Sequence, residues 1–211
     1  GAAGYVASTQ RSISAPGSTV SKASASSTKM AALAGSPDQG KGALVEFELA
    51  NTTNGGPAAQ VDAGQNHACA VKQDGRVSCW GSPTLSYGTT LKFRQVTSGN
   101  DHDCAIEVDG GVNCLGTPAT DPSGTFRDVD AGDTYTCGVK SDGTISCWGT
   151  ELPGTPSGTF LQVSAGADHA CGVKTDGTVA CWGASHGTVP TGTFLQVSAG
   201  TDHACGVKTD G

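Results

Sequence analysis

Three features of this 211-residue sequence predict an all-β fold, a β-propeller of disulfide-stapled blades of about 34 residues behind an N-terminal low-complexity extension. One string recurs five times: Val61 to Cys69, Val96 to Cys104, Val129 to Cys137, Val163 to Cys171 and Val197 to Cys205, with starts 35, 33, 34 and 34 residues apart. A second cysteine follows the first four after ten residues, at Cys79, Cys114, Cys147 and Cys181, with Trp-Gly behind three of them. Between the cysteines, apolar and polar residues alternate with period two around a turn, which is the pattern of a hairpin.

The chain divides into a Gly/Ala/Ser/Thr-rich arm (1–42), a strand and linker (43–60), and repeats over 61–211, bounded as 61–95, 96–128, 129–162, 163–196 and an incomplete 197–211. Of residues 1–40, 26 are Gly, Ala, Ser or Thr and four are charged, the composition of a flexible stalk. Within that arm Ser24 to Ala34 is expected to form a short helix. Leu44 to Leu49 alternates as a strand, with Val45, Phe47 and Leu49 on one face. Asn51-Thr52-Thr53 is a glycosylation sequon, a weak three-residue signal that makes Asn51 a candidate acceptor. An arm without a core-forming pattern can order by lying along its own blades or along a neighbouring subunit, so residues 1–50 are candidates for self-association.

In the unit Cys171-Gly-Val-Lys-Thr-Asp-Gly-Thr-Val-Ala-Cys181, a two-residue Asp176-Gly177 turn would put the cysteines on opposite faces. A three-residue loop, Thr175-Asp176-Gly177, with glycine in the left-handed region and a bulge, instead pairs Val173 with Val179 and Cys171 with Cys181. Direct cross-strand neighbours lie about 4.5 to 5.5 Å apart at Cα, inside disulfide range. The expected bonds are Cys69–Cys79, Cys104–Cys114, Cys137–Cys147 and Cys171–Cys181. Each unit also offers a His-x-Cys step, but a structural zinc site clusters Cys-x2-4-Cys or similar knuckles, and no such knuckle is present. Metal is therefore not expected.

The other strands of the unit are expected around Thr159 to Val163 and its copies at Phe93, Phe126 and Phe194, behind Pro-x-Gly turns at Pro122, Pro156 and Pro190. Four strands of about five residues would fill the period. A unit this small cannot bury its own face, so neighbours stack, and radial stacking gives a propeller.

The block Val-Ser-Ala-Gly-x-Asp-His-Ala-Cys-Gly-Val-Lys-Thr-Asp-Gly-Thr-Val-Ala-Cys-Trp-Gly, residues 163–183, resembles the regulator of chromosome condensation repeat, in particular its cysteine-rich version in secreted bacterial proteins. The resemblance covers 61–211. It implies a β-propeller, commonly of seven blades, that binds proteins on its loop faces. The units here are shorter than is typical of the family, Tyr135 replaces the repeat histidine once, and Leu115 replaces the tryptophan once. The fifth unit reaches Asp210-Gly211 in the middle of its hairpin, so Cys205 is expected to be unpaired, its partner falling four residues further on. Four and a half units do not close a ring. The expectation is that the natural chain continues, or else that a neighbouring molecule or an N-terminal strand completes the last blade.

Several residues attract functional readings that simpler ones outweigh. His67, His102, His169 and His203 could ring a ligand, but a residue repeated in every blade is expected to satisfy backbone groups at the turn into its strand. Trp80, Trp148 and Trp182 are expected to pack rather than form an aromatic cage. Gly35 to Gly42 imitates a phosphate loop, but glycine stands where the magnesium-binding hydroxyl belongs and a strand follows instead of a helix. Asp128, Asp130 and Asp133 are spaced like calcium ligands, yet the rest of the twelve-residue loop is missing, so they read as a solvated turn. No catalytic elbow, redox Cys-x-x-Cys pair or zinc-protease helix motif occurs. Neither catalytic residues nor a cofactor is expected.

Twelve basic against 19 acidic residues give a net charge of −7, which argues against nucleic acid as a partner. The longest apolar run is the five residues Met30 to Ala34, against about 20 for a membrane-spanning helix. Nine cysteines at regular spacing indicate an oxidising compartment, extracellular or at the cell surface. The chain begins Gly-Ala-Ala, so an export leader is expected to have been removed or never included. The function expected is a non-enzymatic structural or protein-binding propeller in an extracellular assembly or filament. Its contacts would come from the loops at Ser82 to Lys92, Thr117 to Pro122, Thr150 to Pro156 and Ala184 to Pro190. A soluble ligand-binding or inhibitory propeller is the alternative, and an enzyme with a site on one face the third.

Overall fold

The computed structural model describes residues 29–34, 43–48, 58–81, 85–88, 90–117, 120–150, 155–184 and 186–210. A first antiparallel hairpin is made by β1 (Lys29–Ala34) and β2 (Ala43–Glu48). Five units follow: β3 (Ala58–Ala63), β4 (His67–Lys72) and β5 (Val77–Gly81); β6 (Phe93–Ser98), β7 (His102–Glu107) and β8 (Val112–Gly116); β9 (Phe126–Ala131), β10 (Tyr135–Lys140) and β11 (Ile145–Gly149); β12 (Phe160–Ala165), β13 (His169–Lys174) and β14 (Val179–Gly183); and β15 (Phe194–Ala199) with β16 (Ala204–Lys208). Each of the first four is a three-stranded antiparallel meander, and the fifth contributes two strands. Among the described residues no helix is long and apolar enough to cross a membrane.

Two expectations are corrected here. Residues 29–34, within the stretch read as a helix, are a strand: six residues are too few for a stable isolated helix, and β2 offers a partner from Lys29↔Glu48 to Ala34↔Ala43. Residues 24–28 lie outside the described residues, as do Leu49, Asn51 and Gly35 to Gly42. Secondly, the complete units have three strands among the described residues, not four. The stretch between one unit's last strand and the next unit's first is turn and coil where it is described. Its prolines and its glycines at positive φ, such as Gly192 at 121°, suit turns rather than a ladder.

The hairpin in each unit follows from its turn. In the fourth, the Gly177 N–H donates to Lys174 O at 2.9 Å and Gly177 has φ 83°, so the loop closes over Thr175, Asp176 and Gly177. The Asp176 carboxylate accepts the Thr178 N–H at 2.9 Å and fixes the turn from inside. The register then pairs Cys171 with Cys181 and Val173 with Val179. Equivalent pairs in the other units give S–S distances of 2.02 Å for Cys69–Cys79, 2.08 Å for Cys104–Cys114, 2.03 Å for Cys137–Cys147 and 2.02 Å for Cys171–Cys181. Cys205 is free and exposed.

The core sits between units rather than within them. Cys171 and Val173 of one unit pack on Phe194 and Val197 of the next, and Cys104, Ile106 and Cys114 pack on Phe126 and Val129 in the same way. Phe93, Phe126, Phe160 and Phe194 are all buried, each worth roughly 1.5 to 3 kcal/mol of transfer free energy. The first unit has Ala58 at this position, and β1 passes beside its β3 and β4.

Candidate functional site

The polar chemistry of the molecule is concentrated in the seams between units. Gln162 donates its Nε2–H to Val197 O at 2.8 Å and accepts the Val197 N–H at 2.9 Å, clamping the next unit's first strand. Gln60 makes the same pair of bonds to Val96, both at 2.8 Å, and the Asp128 carboxylate accepts the Val163 N–H at 2.9 Å. Two residues on, a second row repeats the idea: Asp62 accepts the Ser98 N–H at 2.8 Å, Thr97 Oγ1 that of Ala131 at 2.9 Å, Asp130 that of Ala165 at 2.8 Å, and Ser164 Oγ that of Ala199 at 3.0 Å. The period-two strand places both rows on the face that meets the neighbour. Arg94 and Arg127 add guanidinium bonds to Phe126 O and Phe160 O respectively.

Asp128 and Asp130 are therefore not a solvated turn. They lie on β9 facing the next unit, and Asp130 also accepts from Thr97 Oγ1 at 3.1 Å and Ser164 Oγ at 2.9 Å. These donors occupy the lone pairs a calcium ion would need.

The histidines also differ from their expected role. His67 and His102 reach across the seam to side chains instead of capping their own turns. His67 Nε2 lies 2.9 Å from Asp103 Oδ1, and His102 Nε2 lies 2.9 Å from Thr136 Oγ1. Tyr135, at the histidine position of the third unit, places its hydroxyl 2.9 Å from Gly166 O and 2.6 Å from His169 O, its single hydrogen shared between the two carbonyls. His169 finds Ala204 at the position that receives it, and its buried Nε2 has no partner among the described residues. His203 is exposed, 3.2 Å from the Asp202 carboxylate. Trp148 and Trp182 meet Phe126 and Phe160 edge-on at 5.4 and 6.1 Å, and Trp80 packs on Ala63 and Ala68.

Burial pushes the His102 pKa below its ordinary value, more than Asp103 and Asp101 nearby pull it up. Below pH about 6.5 the unfolded chain takes up a proton that folded His102 resists, so stability is lost as pH falls from there towards the lowered folded value. Denaturant midpoints at pH about 7 and about 5.5 are expected to differ more for the native chain than for His102→Gln. An equal difference would show that another group is responsible.

One seam departs from the pattern. The residue between the repeat histidine and cysteine is Ala68, Ala170 and Ala204 in three units, Thr136 in one and Asp103 in the second. Asp103 is fully buried; its Oδ2 lies 3.1 Å from Cys69 Sγ and 3.9 Å from Cys79 Sγ. The two sulfurs and the carboxylate lie within 4.8 Å of one another, the one such group of potential metal ligands among the described residues, but the sulfurs are bonded to each other. Sequence reasoning passed over Asp103. The signal was available, as an acid standing where three of five units carry alanine.

Of the loops read as contact surfaces, 85–88 and 90–92 are described in the first, where Tyr87 is buried edge-on against Phe93 at 5.0 Å and belongs to the core. Asp121, in the second, accepts the Cys114 N–H at 2.7 Å. Residues 186–190 of the last are largely exposed.

Residues 58–88 and 160–186 both match the model of the regulator of chromosome condensation (RCC1) repeat. The chain carries RCC1 repeats. Among solved structures, the CRINKLY WD40 ectodomain of the Arabidopsis thaliana receptor kinase ACR4 is similar at 30% identity and TM-score 0.66, over 75% of this chain and 62% of that one. The entire ectodomain of the Physcomitrella patens receptor kinase CR4 is similar at 27% identity and TM-score 0.66, over 78% and 50%. Prp20p of Saccharomyces cerevisiae shares the fold at 16% identity and TM-score 0.62, over 83% and 61%. This chain thus spans roughly half to three-fifths of those chains. No curated protein matches it. The repeated units here are the blades of a β-propeller, each joined to the next by the polar rows and aromatic packing of the seams.

Proposed function

We propose that this chain is part of an extracellular or cell-surface propeller that acts without catalysis, binding proteins through the loops between its blades. The four disulfides carry the reading, because such bonds persist in oxidising compartments. Similarity to receptor-kinase ectodomains supports it. Within that reading the arm, 1–42, joins the blades to a larger assembly. Light scattering on the full chain is expected to give a multimer, and a chain lacking 1–42 is expected to stay folded as a monomer. A monomeric full chain with a protease-sensitive arm would end the assembly role. Thiol titration of the denatured, unreduced protein from its native source, read site by site, tests the compartment: the eight cysteines of the four bridges are expected to be blocked, and free thiols at them would place it in a reducing one.

A further inference from the structure

We infer that Cys69–Cys79 is a thiol–disulfide exchange site, set apart from the three other bridges by Asp103. Asp103 Oδ1 faces His67 Nε2 at 2.9 Å in a contact wholly shielded from solvent. Its Oδ2, equally buried, has only the sulfurs of the bridge within reach among the described residues, at 3.1 and 3.9 Å. A disulfide sulfur carries no hydrogen, so while the bridge is closed this carboxylate oxygen has no hydrogen-bond donor among the described residues. That is an unfavourable state for a buried acceptor. Opening the bridge supplies an S–H donor at Cys69, already at contact distance.

The other bridges lack this arrangement. Cys104 Sγ faces the neutral Thr136 hydroxyl at 3.5 Å, and the equivalent residues beside Cys137 and Cys171 are Ala170 and Ala204. A hydrogen bond gained by a charged acceptor shifts such an equilibrium by roughly tenfold to a hundredfold. Cys79 is partly exposed whereas Cys69 is buried, so entry is at Cys79.

The exchange takes low-molecular-weight thiols. The thiolate of the first attacks Cys79 Sγ; an S–S bond forms between them, the Cys69–Cys79 bond breaks, and its electron pair goes to Cys69. The proton released by the incoming thiol ends on Cys69 and is donated to Asp103 Oδ2. A second thiol attacks the mixed disulfide and leaves as the oxidised dimer, with its proton on Cys79. The protein gains two electrons and two protons, and two thiols become one disulfide.

The test equilibrates the full chain in glutathione buffers of graded poise, with acid quenching, alkylation and mass spectrometry reading each cysteine pair. Cys69–Cys79 is expected to open with an equilibrium constant at least about tenfold above the other three, equivalent to about 30 mV. Asp103→Ala, which installs the residue of three sister units, is expected to bring it level with them. Ala204→Asp, which grafts the acid between His169 and Cys171, is expected to make Cys171–Cys181 open earlier, and it keeps the test decisive if Asp103→Ala does not fold. Opening of all four together, Cys69–Cys79 opening last, or an order unmoved by these substitutions would overturn the inference.

Discussion

Gly132→Ala is expected to lower stability by about 3 kcal/mol, a fall in Tm of roughly 10 °C, although alanine is a better residue than glycine for most backbones. A methyl group at this position would lie 2.3 Å from Gly166 O of the next unit and 2.7 Å from the Tyr135 ring. Neither can yield easily. The carbonyl is main chain on the far side of a seam, and the ring is held by the bonds from its hydroxyl to Gly166 O and His169 O. Gly64, Gly99 and Gly166 meet the following unit equally closely, at 1.9, 2.5 and 2.1 Å from its carbonyl, so the constraint belongs to the stacking distance itself. Gly88→Ala, with nothing within 4 Å, is the matched control and is expected to stay within about 0.5 kcal/mol. Hydrogen exchange should then locate the damage at the Val163 and Ala165 amides, which Asp128 and Asp130 hold across that seam. If Gly132→Ala were as stable as Gly88→Ala, the units would not be packed this closely.

Replacing both Cys171 and Cys181 by alanine is expected to cost about 3 kcal/mol, the loop-closure entropy for cysteines ten residues apart. The figure is large beside the few apolar side chains available to one unit, because Cys171 and Val173 share their cluster only with Phe194 and Val197 and their fringe. Cys205→Ser removes a thiol that is exposed and free and is expected to change stability by less than about 0.5 kcal/mol. Chemical denaturation of the two variants side by side separates bridging from simple loss of cysteine. Equal midpoints would mean that hairpin register alone holds the blade.

What could be read from residue order was whatever is closed within one unit. The Asp-Gly turn, the two cysteines and the valines between them lie inside eleven consecutive residues, and a three-residue loop, unlike a two-residue one, puts sulfur opposite sulfur. The seams could not be read in this way. Gln162 and Val197 are 35 residues apart, and the receiving groups are a main-chain N–H and C=O, which every residue but proline possesses. The histidines were misread for the same reason: whether an imidazole turns to its own turn or to the next unit is decided by the neighbour's approach. The carboxylates of β9 looked like surface because alternation marks two faces of a strand without saying which of them meets another blade. The supposed fourth strand failed where proline and left-handed glycine dominate.

The seams have a direction. In both polar rows each unit extends its glutamine, aspartate, serine or threonine forward, and the group these residues share as a target on the successor is a backbone N–H. A grip of that kind is indifferent to the successor's side chains, so copies of a single ancestral unit could be duplicated, shuffled or allowed to diverge without relearning how to adhere. Diversity can then accumulate on the rims while the joints stay interchangeable. The side-chain contacts added to the rows, His67 with Asp103, His102 with Thr136, and Asp130 with Thr97 and Ser164, are exceptions, because each depends on one particular neighbour and so fixes the order of the copies it joins.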